Sequence, residues 1–388
     1  MNISPELRVM IALARSNPSP EMVRCAREVV SSGIDWRRLC ALCVRNRVSG
    51  LVWQSVSTLL GDIAPVGHLD DMRAAAMRSR AMSMAFLATQ INIVDRFLTP
   101  LRIRHAFLKG AVISVRHYGD PILRAVSDLD VLVESTRIPE LVERMVEQGW
   151  RIASPFWKGQ ELSLFTRLVS VVELVAPDGR RVEVHRLVDG SGLVFDSQAL
   201  LSKVVTCCIA GRSVCALAPV DEIRVILHHH SRHGWSCYHW VADIVSMMNS
   251  STSINRCVES LCHDSFLGPT VSAVLMLVKN IDALAVSGKL QGNAEVSPFL
   301  HDCIASIDRL DAPLSSVMNV DAAAKEPDFP NRWQRTLKYK LMFFWGRFRP
   351  NLNDLDFIQL PSSVSWMYWI IRPLRVIYTR IGAFGTRK

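Results

Sequence analysis

The sequence predicts an α/β (α+β) protein, a small mixed-sheet core flanked by N-terminal and C-terminal helical regions. Three observations lead there. Residues 1 to 100 carry apolar residues at helical spacing without Gly-rich loops. Residues 101 to 195 switch to short apolar or alternating runs punctuated by Gly turns, and helical spacing returns from about Asp196.

Taken in order, the first helix signal with a defined start is Pro20 to Val30, where Ser19 is a plausible N-cap and Pro occupies the first helical position. Asp35 to Val56 keeps apolar residues at helical spacing, and His68 to Thr99 sets Ala, Met and Leu against Arg on the other face. These helices form a packing layer with no chemistry visible in it. Near Leu101 the character changes: IRHAFLKG reads as a short buried strand ending in a Gly turn, and AVISVRHY after it as a helix. Asp128 to Val133 reads as a strand, and Ile138 to Gln148 as a helix closed by Gly149. Three strand candidates follow, Glu161 to Arg167, Ser170 to Ala176 and Arg180 to Leu187. The last two are joined by Pro177-Asp178-Gly179, a strong hairpin signal. Downstream, helices are expected over Val220 to Ser231, Tyr238 to Met248, Ile254 to Leu261 and Pro269 to Leu284. The expected organisation is an N-terminal helical region (1–100), the sheet core (101–195), a C-terminal helical region (196–311), a linker or loop (312–330) and a basic aromatic tail (331–388).

Composition bounds the class. With 388 residues, 49% hydrophobic and 21% charged, the chain is a folded globular type, which excludes a disordered chain and a disulfide-stapled mini-protein. The first twenty residues place Glu6 and Arg8 inside the apolar run and offer no cleavage-like site, so a cytoplasmic protein is expected. Ten cysteines lack the spacing of a secreted framework and read as reduced, mostly buried thiols. The C-x-x-C at Cys40 and Cys43 lies in a helix-like run and lacks a second pair to complete a zinc site. Uninterrupted apolar stretches such as Trp366 to Ile371 fall far short of the roughly 20 residues that span a bilayer, so no transmembrane segment is expected. The net charge of +9 is concentrated in the tail, where eleven Lys or Arg stand against two Asp.

The residues with chemical promise begin at Ser127-Asp128-Leu129-Asp130. Residues two apart on a strand point to one side, so Asp128 and Asp130 are expected to present adjacent carboxylates while Leu129 and Val131 face the core. Hard oxygen ligands, completed by nucleotide phosphates and water, are what Mg²⁺ prefers. A lone D-x-D is weak evidence, because most are solvated edge residues; its neighbours strengthen it. The turn at Lys109-Gly110 runs into a helix whose N-terminus offers N–H groups to phosphate, and Lys109 adds a point charge. Glu183 and His185 alternate onto one side of a strand, so Glu183 is a candidate third metal ligand or base. Arg124 is either a cationic fork for a triphosphate or a surface Arg in a loop after Pro121. His229 and His233 lie four apart on a helix, like the pair in zinc peptidases, but no Glu follows His229 as that motif needs. They read better as residues lining the active cleft, or as core histidines bonded to Asp243.

Phe107-Leu108-Lys109-Gly110-Ala111, then Tyr118, Arg124 and Ser127-Asp128-Leu129-Asp130-Val131-Leu132-Val133, resembles the DNA polymerase beta type nucleotidyltransferase superfamily. More closely, it resembles the bacterial branch of uncharacterised nucleotidyltransferases. That branch typically shows a later acidic residue and His, matched by Glu183 and His185, and a helical His, His, Trp, Asp pattern, matched by His229, His233, Trp235 and Asp243. The resemblance runs from about Asp35 to about Met248, with a looser echo at Arg372-Pro373-Leu374-Arg375. It implies a nucleotidyltransferase core that uses Mg²⁺ (or Mn²⁺) held by Asp128, Asp130 and Glu183. Lys109, Gly110, Arg124 and Ser127 would bind the NTP, ATP being first choice, and an acceptor (small molecule, tRNA, or peptide or protein) would receive the nucleoside monophosphate. The superfamily usually has Gly or Ser where this chain has Ala111, so a hydroxyl to phosphate is missing, and Lys109 is the candidate to compensate. The alternative is a degenerate, non-catalytic binding module. The tail from Arg332 interleaves cations with aromatics such as Tyr339, Trp345, Trp366 and Trp369, a mixture that fits RNA contact, a peripheral membrane face, or a helical layer docked on the core.

Overall fold

The computed structural model describes residues 3–153, 159, 161–290, 298–310, 334, 336–346 and 348–385. Five helices precede the sheet: α1 (Pro5–Leu13), α2 (Pro20–Ser31), α3 (Trp36–Arg45), α4 (Ser49–Leu59) and α5 (Val66–Ile93). The start of α2 is as expected, with the Ser19 side chain accepting from the Met22 N–H. The single helical run expected over Asp35 to Val56 is two helices. Arg47, at φ 57°, breaks it, a backbone state that a helix interior cannot contain.

Among the described residues the sheet has seven strands: β1 (His105–Phe107), β2 (Leu129–Val133), β3 (Arg151–Ile152), β4 (Val171–Val175), β5 (Arg181–His185), β6 (Val205–Ile209) and β7 (Arg212–Ala216). Their spatial order is β3-β4-β5-β2-β1-β7-β6. Two parallel pairs (β2 with β5, β1 with β7) stand among antiparallel ones, so the sheet is mixed and the expected α/β (α+β) class is correct. Two expectations are corrected. Leu162–Leu168 is the short helix α8, not a strand, because Leu164, Phe165 and Thr166 bury consecutively where a strand would bury alternately. The β6–β7 hairpin, at the start of the region expected to be helical, adds two strands to the sheet edge.

One face of the sheet and the helices of both ends share an apolar core. Leu42 and Val52 from the first region, Ala106 and Leu132 from the sheet, and Leu227, Val241 and Leu277 from the later region all belong to it. The later helices are α9 (Ser197–Leu201), α10 (Pro219–Arg232), α11 (Tyr238–Ser250), α12 (Thr252–Leu261), α13 (Gly268–Ser287) and α14 (Pro298–Asp308). The two ends of the chain are tied together by polar bonds as well. Asn46 donates to the carbonyls of Leu42 and Ile307 and accepts from the Tyr238 N–H, and Ser4 donates to Asp308. A second core fills the other sheet face, where Val131, Val182 and Val184 meet α7 (Ile138–Glu147) and the end of α5. Among the described residues α13 alone is long and apolar enough to cross a bilayer, yet Val271, Val274, Leu277 and Ile281 along it are buried in the helical core. The expected linker at 312–330 lies outside the described residues. The tail beyond it carries α15 (Leu337–Gly346), α16 (Leu352–Phe357) and α17 (Tyr368–Gly385).

Candidate active site

The parallel pairing of β2 with β5 sets Asp130 opposite Glu183 and Leu132 opposite His185. Strand alternation turns Val131, Val182 and Val184 into the second core, so Asp130, Glu183 and His185 project from the opposite face, toward the helical body. Asp128 precedes the first strand residue and is half-buried, whereas Asp130 is 2% exposed. The imidazole of His185 bridges the two acids, its Nε2 lying 3.0 Å from Asp130 Oδ1 and 3.2 Å from Glu183 Oε2. Ligand atoms of Asp130, Glu183 and His185 all fall within 4.8 Å of one another. Asp128 stands beside this trio rather than in it, accepting from the Ser127 hydroxyl at 3.0 Å, and Arg47 donates to that hydroxyl at 2.9 Å.

Lys109 reaches the same centre from the turn that follows β1. Its Nζ lies 3.1 Å from Asp130 Oδ2 and 3.0 Å from His229 Nε2. Lys109 thus pairs with Asp130 Oδ2, whereas the buried His185 Nδ1 has no hydrogen-bond partner among the described residues. Burial opposes the Lys109 charge, but Asp130, Asp128 and Glu183 outweigh it and raise the ammonium above its usual value. Burial likewise opposes the Asp130 carboxylate, and Lys109 and His185 hold it well below the usual range. Asp128 has the reverse balance: burial first, then Asp130, raise it, with Lys109 offsetting. For His185 burial disfavours the cation, yet the bonds to Asp130 and Glu183 prevail and lift it to about 9. The centre is thus three carboxylates with two cations folded among them.

Gly110 has φ 71°, which its lack of a side chain permits. The helix after it is brief, Ala111–Ile113, continuing as a π-helical turn over Ser114–Tyr118. Arg124 is 7% exposed, and its guanidinium grips Asp243 on α11, Nε at 2.8 Å from Oδ1 and Nη2 at 2.8 Å from Oδ2. Tyr118 donates to the same carboxylate at 2.9 Å. Its fork is therefore occupied by protein. Asp243 is approached by His230, 3.7 Å away, not by His229 or His233. His229 instead meets Lys109, and His233 stacks on Trp240 with ring centres 4.7 Å apart.

Two contributors escaped sequence reasoning. Arg47 lies eighty positions before Ser127 and carries no motif signal. His230 had one: Ile223, Ile226 and His230 recur at helical spacing, marking the buried face of α10.

The donor set decides what can bind. The carboxylates of Asp130 and Glu183, which converge on one point with the His185 imidazole between them, fit a divalent cation once that imidazole gives up its proton. The family model for uncharacterised nucleotidyltransferases matches residues 32–281. The chain belongs to that family. No curated protein matches the chain. Among solved structures, it is similar to the crystal structure of an antigenic nucleotidyltransferase-like protein from Paracoccidioides brasiliensis, with 19% identity over 51% of this chain and 90% of that one and a TM-score of 0.27.

Proposed function

We propose that this family member is a metal-dependent enzyme of the DNA polymerase beta type superfamily, in its bacterial branch, that transfers a nucleoside monophosphate from an NTP, with ATP first choice, to an acceptor. The observation that carries the reading is the pairing of Asp130 with Glu183 across neighbouring parallel strands beside Lys109. In the reaction an acceptor nucleophile bonds to the α-phosphorus while the bond to the β-phosphate oxygen breaks, and pyrophosphate leaves. Asp128, Asp130 and Glu183 would hold Mg²⁺ or Mn²⁺, with His185 able to join them only once its imidazole has given up its proton, and the ion would supply charge stabilisation at the phosphoryl oxygens.

The chain's own residues do the rest. Lys109 brings a fixed positive charge to the phosphates, and Gly110 lets the turn approach them closely. Ser127 orients Asp128 and is itself held by Arg47. Glu183, the more exposed acid of the trio, would serve either as a metal ligand or as the base that takes the acceptor's proton. Arg124 acts as a strut through Asp243, and His229 and His233 line the approach to Lys109. The catalytic unit is proposed as 101–195, with helical regions at 1–100 and 196–311 around it. A cytoplasmic setting suits the NTP donor and the buried thiols of Cys25, Cys43 and Cys237.

The test is incubation of the protein with each labelled NTP, Mg²⁺ and a cell extract, beside Asp130→Asn. The expected outcome is a labelled product that the variant fails to make while melting as a folded protein. Retained transfer by Asp130→Asn would refute the reading. No product from any NTP, together with no thermal shift from NTP and metal, would favour a binding module whose acidic centre is permanently neutralised by Lys109.

A further inference from the structure

The tail helices are docked by one face and leave another face apolar and open. In α17 the inward side is anchored by Tyr368, which is fully buried against Leu164 and Leu355 and whose hydroxyl donates to the Ile358 carbonyl. Arg375 reinforces that side through a 2.7 Å bond to the buried Asp354. The outward side presents Trp369, Ile370 and Leu374, with Trp366 just before them, each more than half exposed. In α15 the ring of Tyr339 packs on Phe266 from α12–α13, while Leu337, Leu341 and Trp345 recur every four residues at the surface. Lys338 and Lys340 are exposed beside that stripe. A core-facing layer would bury these residues; this one shows its indoles and aliphatics to solvent within residues 337–374, which carry five Lys or Arg against two Asp.

We infer that residues 337–374 form a peripheral docking surface for an anionic phospholipid bilayer, with Trp345, Trp366 and Trp369 at the headgroup level. Charge complementarity selects an anionic partner, and the side-chain chemistry selects lipid over RNA. Bases stack on aromatic rings, but Leu337, Leu341, Ile370 and Leu374 offer nothing to a base. Aliphatic and indole side chains flanked by Lys are what an interfacial helix inserts to the acyl boundary. The inference is independent of the transferase reading, since no residue of the acidic centre takes part.

The experiment is co-sedimentation of the full chain with vesicles of phosphatidylcholine alone and of phosphatidylcholine containing phosphatidylglycerol. Binding is expected only to the anionic vesicles and weakens with added salt. The exposed pair Trp345→Ser/Trp369→Ser should lower the partition at least tenfold, and Lys338→Gln/Lys340→Gln about fivefold per charge removed, the equivalent of roughly 1 kcal/mol each. Both variants replace surface side chains, and unchanged melting checks that they fold. Equal binding to neutral and anionic vesicles, binding indifferent to the tryptophans, or capture of single-stranded RNA without capture of vesicles would each overturn the proposal.

Discussion

Asp128, Asp130 and Glu183 repel one another in one centre, and Lys109 and His185 are the cations folded in beside them. Two unit charges about 4 Å apart near a protein surface interact by about 4 kcal/mol, so Lys109 competes with any divalent ion for the same carboxylates. Lys109→Met keeps the length of the side chain and removes its charge. Mn²⁺ binding to the protein alone, followed by electron paramagnetic resonance, is expected to tighten about tenfold or more, because the resident competitor is gone. Transfer should nevertheless fall on the order of a hundredfold, since the phosphates lose a fixed positive partner. Unchanged or weaker Mn²⁺ binding would show that Lys109 is not the counter-ion of this site. At this scale the sequence revealed the participants and not their partnerships. Asp128, Asp130, Glu183 and Lys109 stand out by type and spacing, but the Lys109–His229 contact spans 120 positions and is made only by tertiary folding.

The elements that bear the site are held in register by buried polar struts. Arg124 and Tyr118, both between β1 and β2, converge on Asp243 of α11, while His117 and Arg116 reach Glu222 of α10 at 2.8 and 3.2 Å. Removing one member of such a pair leaves an uncompensated buried charge. Asp243→Ala should therefore cost about 3–5 kcal/mol in denaturant unfolding, while Asp243→Asn, which keeps a hydrogen-bond acceptor, costs less. A loss below about 1 kcal/mol for the alanine variant would contradict the strut. Elements with strong local signals are legible in the sequence: the Ser19 cap of α2, the strand within Asp128 to Val133 and the Pro177-Asp178-Gly179 turn all form as expected. The β6–β7 hairpin is not, for a physical reason. Both strands contain cysteine, β6 at the sheet edge is exposed along much of its length, and the turn uses Ala210 and Gly211 at φ 50° and 75° where Asn-Gly would have announced it. In α8, Leu162 and Leu164 mimic strand alternation, and only burial against the tail reveals a helix.

Across the whole molecule, the histidines give stability a maximum in pH. His230 and His239 lie in the helical body, 0% and 6% exposed, and burial first, then Arg124 for the one and Arg47 for the other, hold both well below the ordinary imidazole value. Asp243, facing His230 at 3.7 Å, does not reverse this. Folded, they stay neutral; unfolded, they take up protons below pH 6.5. The unfolded chain then binds more protons, so stability falls as pH drops, by up to about 1.4 kcal/mol per unit for each group. His185 acts in the opposite sense, since its folded value is raised to about 9 by Asp130 and Glu183 against burial. Its contribution is complete below pH 6.5 and is lost as pH rises through about 9. Melting of the metal-free protein across pH 4.5 to 9.5, a range set by these groups, should accordingly peak near neutrality and decline on both sides. His239→Gln, which cannot take up a proton, should flatten the acid limb, and His185→Gln the alkaline one. An acid limb equally steep in His239→Gln would transfer that dependence to other groups, because nothing else about the folded chain's proton count changes with that substitution.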